Sequence, residues 1–262
     1  MFKKILSLVF ISCAALSLNA CQGDKPNNSK PKNSEVKTFA IGAIPDQDPE
    51  KLQRLYTKLA QYLEKKLGVP VEYKPVTDYT AAVTAFRVGD LDLVWFGGLT
   101  GVQARLQVPE AQAIAQRDID AEFHSVFIAN TKSQIKPIQD LKQLQLLKGS
   151  RLIFGSESST SGRLMPQYYL QQAGVKLEDF ANVGFSGSHD KTIKLVESGS
   201  YDIGAVNEQV WQTRLAAKEV DLDRVKVIWR TPAYYDYHWV INSAVKERYG
   251  ADFITRVQTA LL

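Results

Sequence analysis

From residue 38 onward, short runs of apolar side chains alternate with longer stretches in which apolar residues return every three or four positions. Residues 38–44 form the first apolar run, and Pro45-Asp46-Gln47-Asp48-Pro49 turns the chain after it. Asp48 stands where a side-chain oxygen would cap a helix, with Pro49 in the first helical position. Leu52, Leu55, Tyr56, Leu59, Tyr62, Leu63 and Leu67 then keep helical spacing until Gly68 ends it. The pattern continues with strands at 71–74, 91–96, 125–129, 151–154, 182–185, 203–206, 225–229 and 237–241. Helices fall between them at 79–88, 162–173, 189–197 and 208–217, and a last helical run occupies 244–262. Such alternation predicts an α/β fold with mixed, mainly parallel sheets.

Two stretches echo each other. In 78–96 and in 189–207, a residue at a helix start (Tyr79, His189) lies ten positions before a glycine (Gly89, Gly199). An aspartate (Asp92, Asp202) follows three positions later, and then a hydrophobic strand. Each glycine suits a left-handed helix end. Each helix start then meets the sheet edge where open α/β sheets bind ligands. Two such units predict two lobes facing a shared cleft.

The ends and the charge add a compartment. The first residues carry Lys3 and Lys4, then an apolar stretch from Ile5 to Leu18 and a small-residue exit. That stretch is short for a membrane span and fits a secretory signal over 1–20. Leu18-Asn19-Ala20-Cys21 resembles the bacterial lipobox, which predicts a lipid on Cys21. A plain signal peptide with a chance cysteine is the alternative. Residues 21–36 are rich in Lys, Asn, Ser and Pro, a flexible tether between an anchor and a globular body. Taking Lys3 and Lys4 from the 32 basic residues leaves 30 against 28 acidic ones, so nothing argues for nucleic acid.

The richest local chemistry is GSESSTSGRLMP at 155–166, where Ser156, Ser158, Ser159, Thr160 and Ser161 precede a helix. A helix N-terminus offers free N–H groups and a partial positive charge. Hydroxyls beside it could hold a small tetrahedral oxyanion without a cationic side chain. A serine that merely caps the helix is the plainer reading, and the residues alone leave both open.

Longer stretches carry a resemblance. FHSVFIANTKSQIKPIQDL, FGSESSTSGRLMPQYYLQQAG and GSHDKTIKLVESGSYDIGAVNE, in that order, resemble the phosphonate/phosphite-binding proteins of ABC transporters. IGAIPDQDP, Asp78-Tyr79 and LDLVWFGGLTGVQA extend the likeness over about residues 38–240, and the last also resembles a branch labelled selenate transporter binding proteins. The resemblance implies a two-lobed periplasmic-binding-protein fold (type II-like) that closes on a ligand. It implies a lipid-anchored, periplasmic or outer-face monomer that delivers a small oxyanion to permease transmembrane subunits driven by an ATPase, with no cofactor. By the same likeness Ser159, Thr160, Ser161, Gly162, Tyr79 and His189 line the site. Phe96 stands where near relatives carry a tyrosine, and Trp95 beside it is a second candidate wall. Glu208 and Asp236 are the candidates for the acidic positions that hold an ammonium group in aminophosphonate binders.

The expected lobes are 37–126 plus 238–262 and 127–237, with the anion on Ser159–Ser161 and with Tyr79 and the Trp95–Phe96 edge closing over it. His124 is expected at the hinge or in the core, and His238 with Tyr235 either closes the pocket or packs. An enzyme is the competing class, but there is no G-x-S-x-G elbow, and three separated histidines give no metal site. A receptor that signals to a membrane sensor is the third.

Overall fold

The computed structural model describes residues 38–262. The expected signal segment, Cys21 and the tether lie outside the described residues. Two five-stranded sheets organise one compact unit. The first has the order β2 (Val71–Tyr73), β1 (Phe39–Ala43), β3 (Leu93–Phe96), β10 (His238–Ile241), β4 (Gln112–Ala115). The second has the order β7 (Asn182–Phe185), β6 (Arg151–Phe154), β8 (Ile203–Asn207), β5 (Ser125–Asn130), β9 (Val225–Arg230). In each sheet one strand runs against its neighbours, β10 in the first and β5 in the second. These are the strands through which the chain enters each sheet from the other lobe.

Helices cover the sheets because their apolar stripes must be buried. In the first lobe α1 (Pro49–Leu67), α2 (Tyr79–Val88), α8 (Val245–Tyr249) and α9 (Phe253–Leu261) pack around Phe39, Leu63, Phe86 and Trp239. Asp48 caps α1 by accepting the N–H groups of Glu50 and Lys51, both at 3.1 Å. Strand alternation puts Phe127 and Val126 on opposite faces of the second sheet. Phe127 joins a core with Phe154, Leu170 and Trp229. Val126 joins another with Ile193, Val206 and Trp211, under α6 (His189–Glu197) and α7 (Glu208–Ala216).

The echo is structural. Gly89 and Gly199 both sit at φ 81°. Asp92 Oδ2 accepts the Ala40 N–H on β1 at 3.0 Å, and Asp202 Oδ2 accepts the Arg151 N–H on β6 at 2.8 Å. Each aspartate also pairs with an arginine, Arg248 or Arg151. Tyr79 and His189 are the first residues of α2 and α6, behind the caps Asp78 and Ser188.

The two crossings are bonded to each other. Phe123 and Tyr234 exchange backbone hydrogen bonds of 2.8 and 2.9 Å, and Thr231 N–H donates to Ser125 C=O at 2.9 Å. His124 lies between them on the first crossing, its Nδ1 2.7 Å from the Thr231 carbonyl.

The structure departs from the pattern reading in three places. α3 (Gly98–Gln107) and β4 were not foreseen, because 97–115 holds three glycines and little periodicity. The terminal run is two helices, since Gly250 at φ 104° breaks it. The helix after the hydroxyl cluster begins earlier, with a π turn at Thr160–Leu164 before α5 (Met165–Gln172).

α6 lies close on β8 because Gly204 has no side chain. A Cβ there would stand 2.8 Å from both Thr192 Cγ2 and Val196 Cγ2, stiff β-branched groups. Gly204→Ala is expected to cost about 1–3 kcal/mol by overpacking, lowering the melting temperature by roughly 2–12 °C. An unchanged melting curve would show that α6 gives way freely.

Candidate functional site

The hydroxyl cluster becomes a buried seat. Ser159 caps the π turn, its Oγ accepting the Gly162 N–H at 2.9 Å while its carbonyl accepts from Leu164 at 2.9 Å. Gly155 N–H donates to the Gly162 carbonyl at 2.9 Å, and a Cβ on Gly162 would meet Ser159 Oγ at 2.9 Å and His189 Cε1 at 3.1 Å. A side chain at 162 is therefore excluded. Ser161 is fixed from below: its carbonyl accepts from Ser125 Oγ at 2.7 Å, and that oxygen meets Tyr234 Oη at 2.5 Å. Ser156 does turn work, accepting the Ser158 N–H at 3.3 Å.

Three groups converge on this seat. His189 is fully buried, and its Nδ1 accepts the Asn207 N–H at 3.3 Å. That bond places the ring proton on Nε2, which stands 3.5 Å from Ser161 Oγ. Burial pushes its pKa down to about 3, so the ring is a neutral donor. Tyr79 is buried too, and its hydroxyl has no partner among the described residues. Asp236 arrives on the return crossing; its Oδ1 accepts the Gly98 N–H at 2.9 Å, and its buried Oδ2 has no partner among the described residues. Burial raises this carboxyl to about 7, against the pull of the Gly98 N–H and of the Thr160 and Ser161 hydroxyls nearby.

The first lobe closes the seat with backbone. Leu99 N–H donates to Thr160 Oγ1 at 2.8 Å, which ties the start of α3 to the seat. Gly97 permits this approach, since a Cβ there would lie 3.2 Å from Asp236 Oδ1. Beyond Thr160 and Asp236 opens a cavity of about 830 Å³ lined by Leu99, Ile114, Leu164, Met165 and His238. His238 packs its ring over Gly101, and Tyr235 is exposed, so neither covers the seat.

Other expected residues lie elsewhere. Glu208 is engaged by Arg230 through bonds of 2.6 and 2.8 Å, and so its carboxylate is not offered to a ligand. Phe96 belongs to the core, edge-on to Phe86 at 5.7 Å, because strand alternation turns it away from Trp95. Trp95 stacks on Tyr237 at 5.6 Å with Arg117 over its face, on the wall of a second, smaller cavity of about 260 Å³. There a chain the sequence did not disclose runs from Asn207 Nδ2 to Tyr237 Oη at 3.1 Å and on to Asp46 Oδ2 at 2.9 Å. Burial lifts Asp46 to about 6, although the Tyr237 bond opposes it. No group of residues able to hold a metal ion occurs among the described residues.

Comparison with known proteins gives the family. The family described as ABC transporter, phosphonate, periplasmic substrate-binding protein matches residues 41–262. A relative from Prochlorococcus marinus (strain MIT 9301), named "Probable ABC transporter phosphite binding protein PhnD1", is 49% identical over 89% of this chain and 80% of its own length. The phosphonates-binding periplasmic protein of Escherichia coli (strain K12) is 30% identical over 88% of this chain and 66% of its own. The solved structure of the Prochlorococcus protein with methylphosphonate superposes with a TM-score of 0.85, covering 87% of this chain and 84% of that one. The two-sheet fold, its hinge and these likenesses together make the chain a member of the phosphonate-binding family of periplasmic substrate-binding proteins, the solute-capturing components of ABC transporters.

Proposed function

We propose that the chain captures a phosphonate or phosphite anion on Ser159, Thr160, Ser161 and Gly162, under Tyr79, His189 and Asp236, and presents it to its permease and ATPase. The observation that carries this is a pair of buried oxygens with no hydrogen-bond partner among the described residues, Tyr79 Oη and Asp236 Oδ2, beside a buried row of hydroxyls. A buried polar atom left unpaired costs about 1–3 kcal/mol, which a ligand supplying the partner recovers. The hydroxyls, the helix-start N–H groups and neutral His189 donate to oxyanion oxygens. Asp236 accepts the proton of a P–OH group, something a sulfate or selenate ion has no proton to satisfy at neutral pH. The likeness to the phosphite- and methylphosphonate-binding relative supports the same ligand class. Glu208 takes no part, and Trp95 acts through Tyr237.

Closure brings a first lobe of 37–126 plus 238–262 onto a second lobe of 127–237, with the crossings as the hinge. Residues 1–20 export the chain, and Cys21 with the tether holds it as a monomer at the membrane's outer or periplasmic face.

Calorimetry on the soluble body tests the ligand: phosphite and methylphosphonate are expected to bind, and sulfate and selenate to give no heat. Equal binding of sulfate would remove Asp236 as a discriminator, and no binding by any anion would end the proposal. Ser159→Ala with Thr160→Val should weaken phosphite at least about tenfold, given ~1.5–3 kcal/mol for a hydrogen bond to a charged group. Unchanged affinity places the anion elsewhere.

The carboxyl of Asp236 has a stability signature. With its pKa raised from 3.8 to about 7, the unfolded chain gives up this proton first as pH rises, so its contribution to stability falls across that window. Asp236→Asn removes the penalty. The melting temperature of the unliganded variant, relative to the native protein, should climb from about pH 4 to pH 7 and level off above. A difference independent of pH would refute the shift.

A further inference from the structure

The loop that follows β1 meets the start of α6 across the cleft at two points. The His189 N–H donates to the Asp46 carbonyl at 3.0 Å. Two residues further along the loop and one further along the helix, the Asp48 N–H donates to Asp190 Oδ2 at 2.6 Å. Asp46 and Asp48 belong to the lobe of the first sheet, His189 and Asp190 to the lobe of the second. Both bonds therefore break when the lobes separate. Asp190 is buried, and the Arg214 guanidinium on α7 forms an ion pair with its other oxygen at 2.9 Å, without a hydrogen bond to that oxygen, while also reaching Glu219 at 3.5 Å. The carboxylate is thus charge-paired within its own lobe and takes one backbone donor from the other.

We propose that Asp190 is the receiving half of an interlobe clasp that holds the closed form and sets how long the anion stays, without touching the anion. Asp190 directly follows His189 in the chain, so the clasp and the ligand donor share one helix start. A His189 drawn onto the anion brings Asp190 to Asp48 in the same movement. Burial of the carboxylate on its own side shields the bond in part from water that competes for the Asp48 N–H. The clasp rests on the reading of the cleft as a closing anion site, and it predicts a slower release rather than a faster capture, because encounter occurs with the lobes apart.

Both sides of the contact can be removed separately. Asp190→Ala deletes the acceptor. On the other side, Asp48 sits at φ −55°, a value proline adopts, so Asp48→Pro deletes the donor N–H without forcing the backbone. Since Asp48 also caps α1, Asp48→Ala is the control that loses the cap and keeps the donor. Phosphite dissociation is followed by stopped-flow tryptophan fluorescence, and the lobe separation of the unliganded protein by spin labels, one on each lobe. Asp190→Ala and Asp48→Pro are expected to speed release about tenfold, equivalent to about 1.4 kcal/mol, with association within about twofold of native. Asp48→Ala should release at the native rate. The spin labels should show the closed distance less populated in Asp190→Ala and Asp48→Pro alone. Native release and a native distance distribution in Asp48→Pro overturn the clasp, even if Asp190→Ala fails to fold. Absence of phosphite binding in the native protein overturns the ligand reading instead, and the distance distributions then decide the clasp alone.

Discussion

The hydrogen bond from Ser125 Oγ to the Ser161 carbonyl ties the proposed anion seat to the two crossings. Ser125 opens the strand by which the chain enters the second lobe, and Tyr234 on the return crossing meets the same hydroxyl. The seat is therefore fastened to both crossings at once. Asp236, two residues beyond Tyr234, sits on the crossing that lies over it. The Gly97–Leu99 backbone completes the enclosure from the first lobe. Positions that must coincide within tenths of an ångström thus hang from a few bonds buried at the pivot.

The seat contains no cationic side chain among the groups converging on it. Its donors are hydroxyls, backbone N–H groups and an imidazole kept neutral by burial. Oriented dipoles in a dry site stabilise an anion without the desolvation cost of burying a lysine or arginine. Release also becomes feasible, since opening the lobes returns water to the dipoles and no ion pair must be broken.

Much of this was legible in the amino-acid order. Asp48, Gly68, Gly89 and Gly199 announce their elements because capping and left-handed turns demand those residue types locally. The echo placed Tyr79 and His189 in matching positions, since both copies build the same helix and strand. Family likeness then singled out the hydroxyls as a seat. What stayed hidden depends on distant pairing. Glu208 looks like a free acid until Arg230, 22 positions on, is seen to claim it. Phe96 and Trp95 are neighbours in sequence, and only the strand's pleat sends them to opposite faces of the first sheet. Asp46, Asn207 and Tyr237 meet across up to 191 positions, and no local pattern marks them.

The reversed strand in each sheet has a consequence for how the molecule is built. Residues through β5 and residues from β6 onward are two halves of one plan, β1–β5 and β6–β10, and each half lodges its fifth strand in the other's sheet. The arrangement is that of a strand-swapped dimer fused into a single chain. Neither half can complete its sheet alone: without β10 the strands β3 and β4 have no neighbour between them, and β8 and β9 depend on β5 in the same way. Two bodies that swing about a hinge are thus joined by mutual loan, and a cut between the halves would dissolve both.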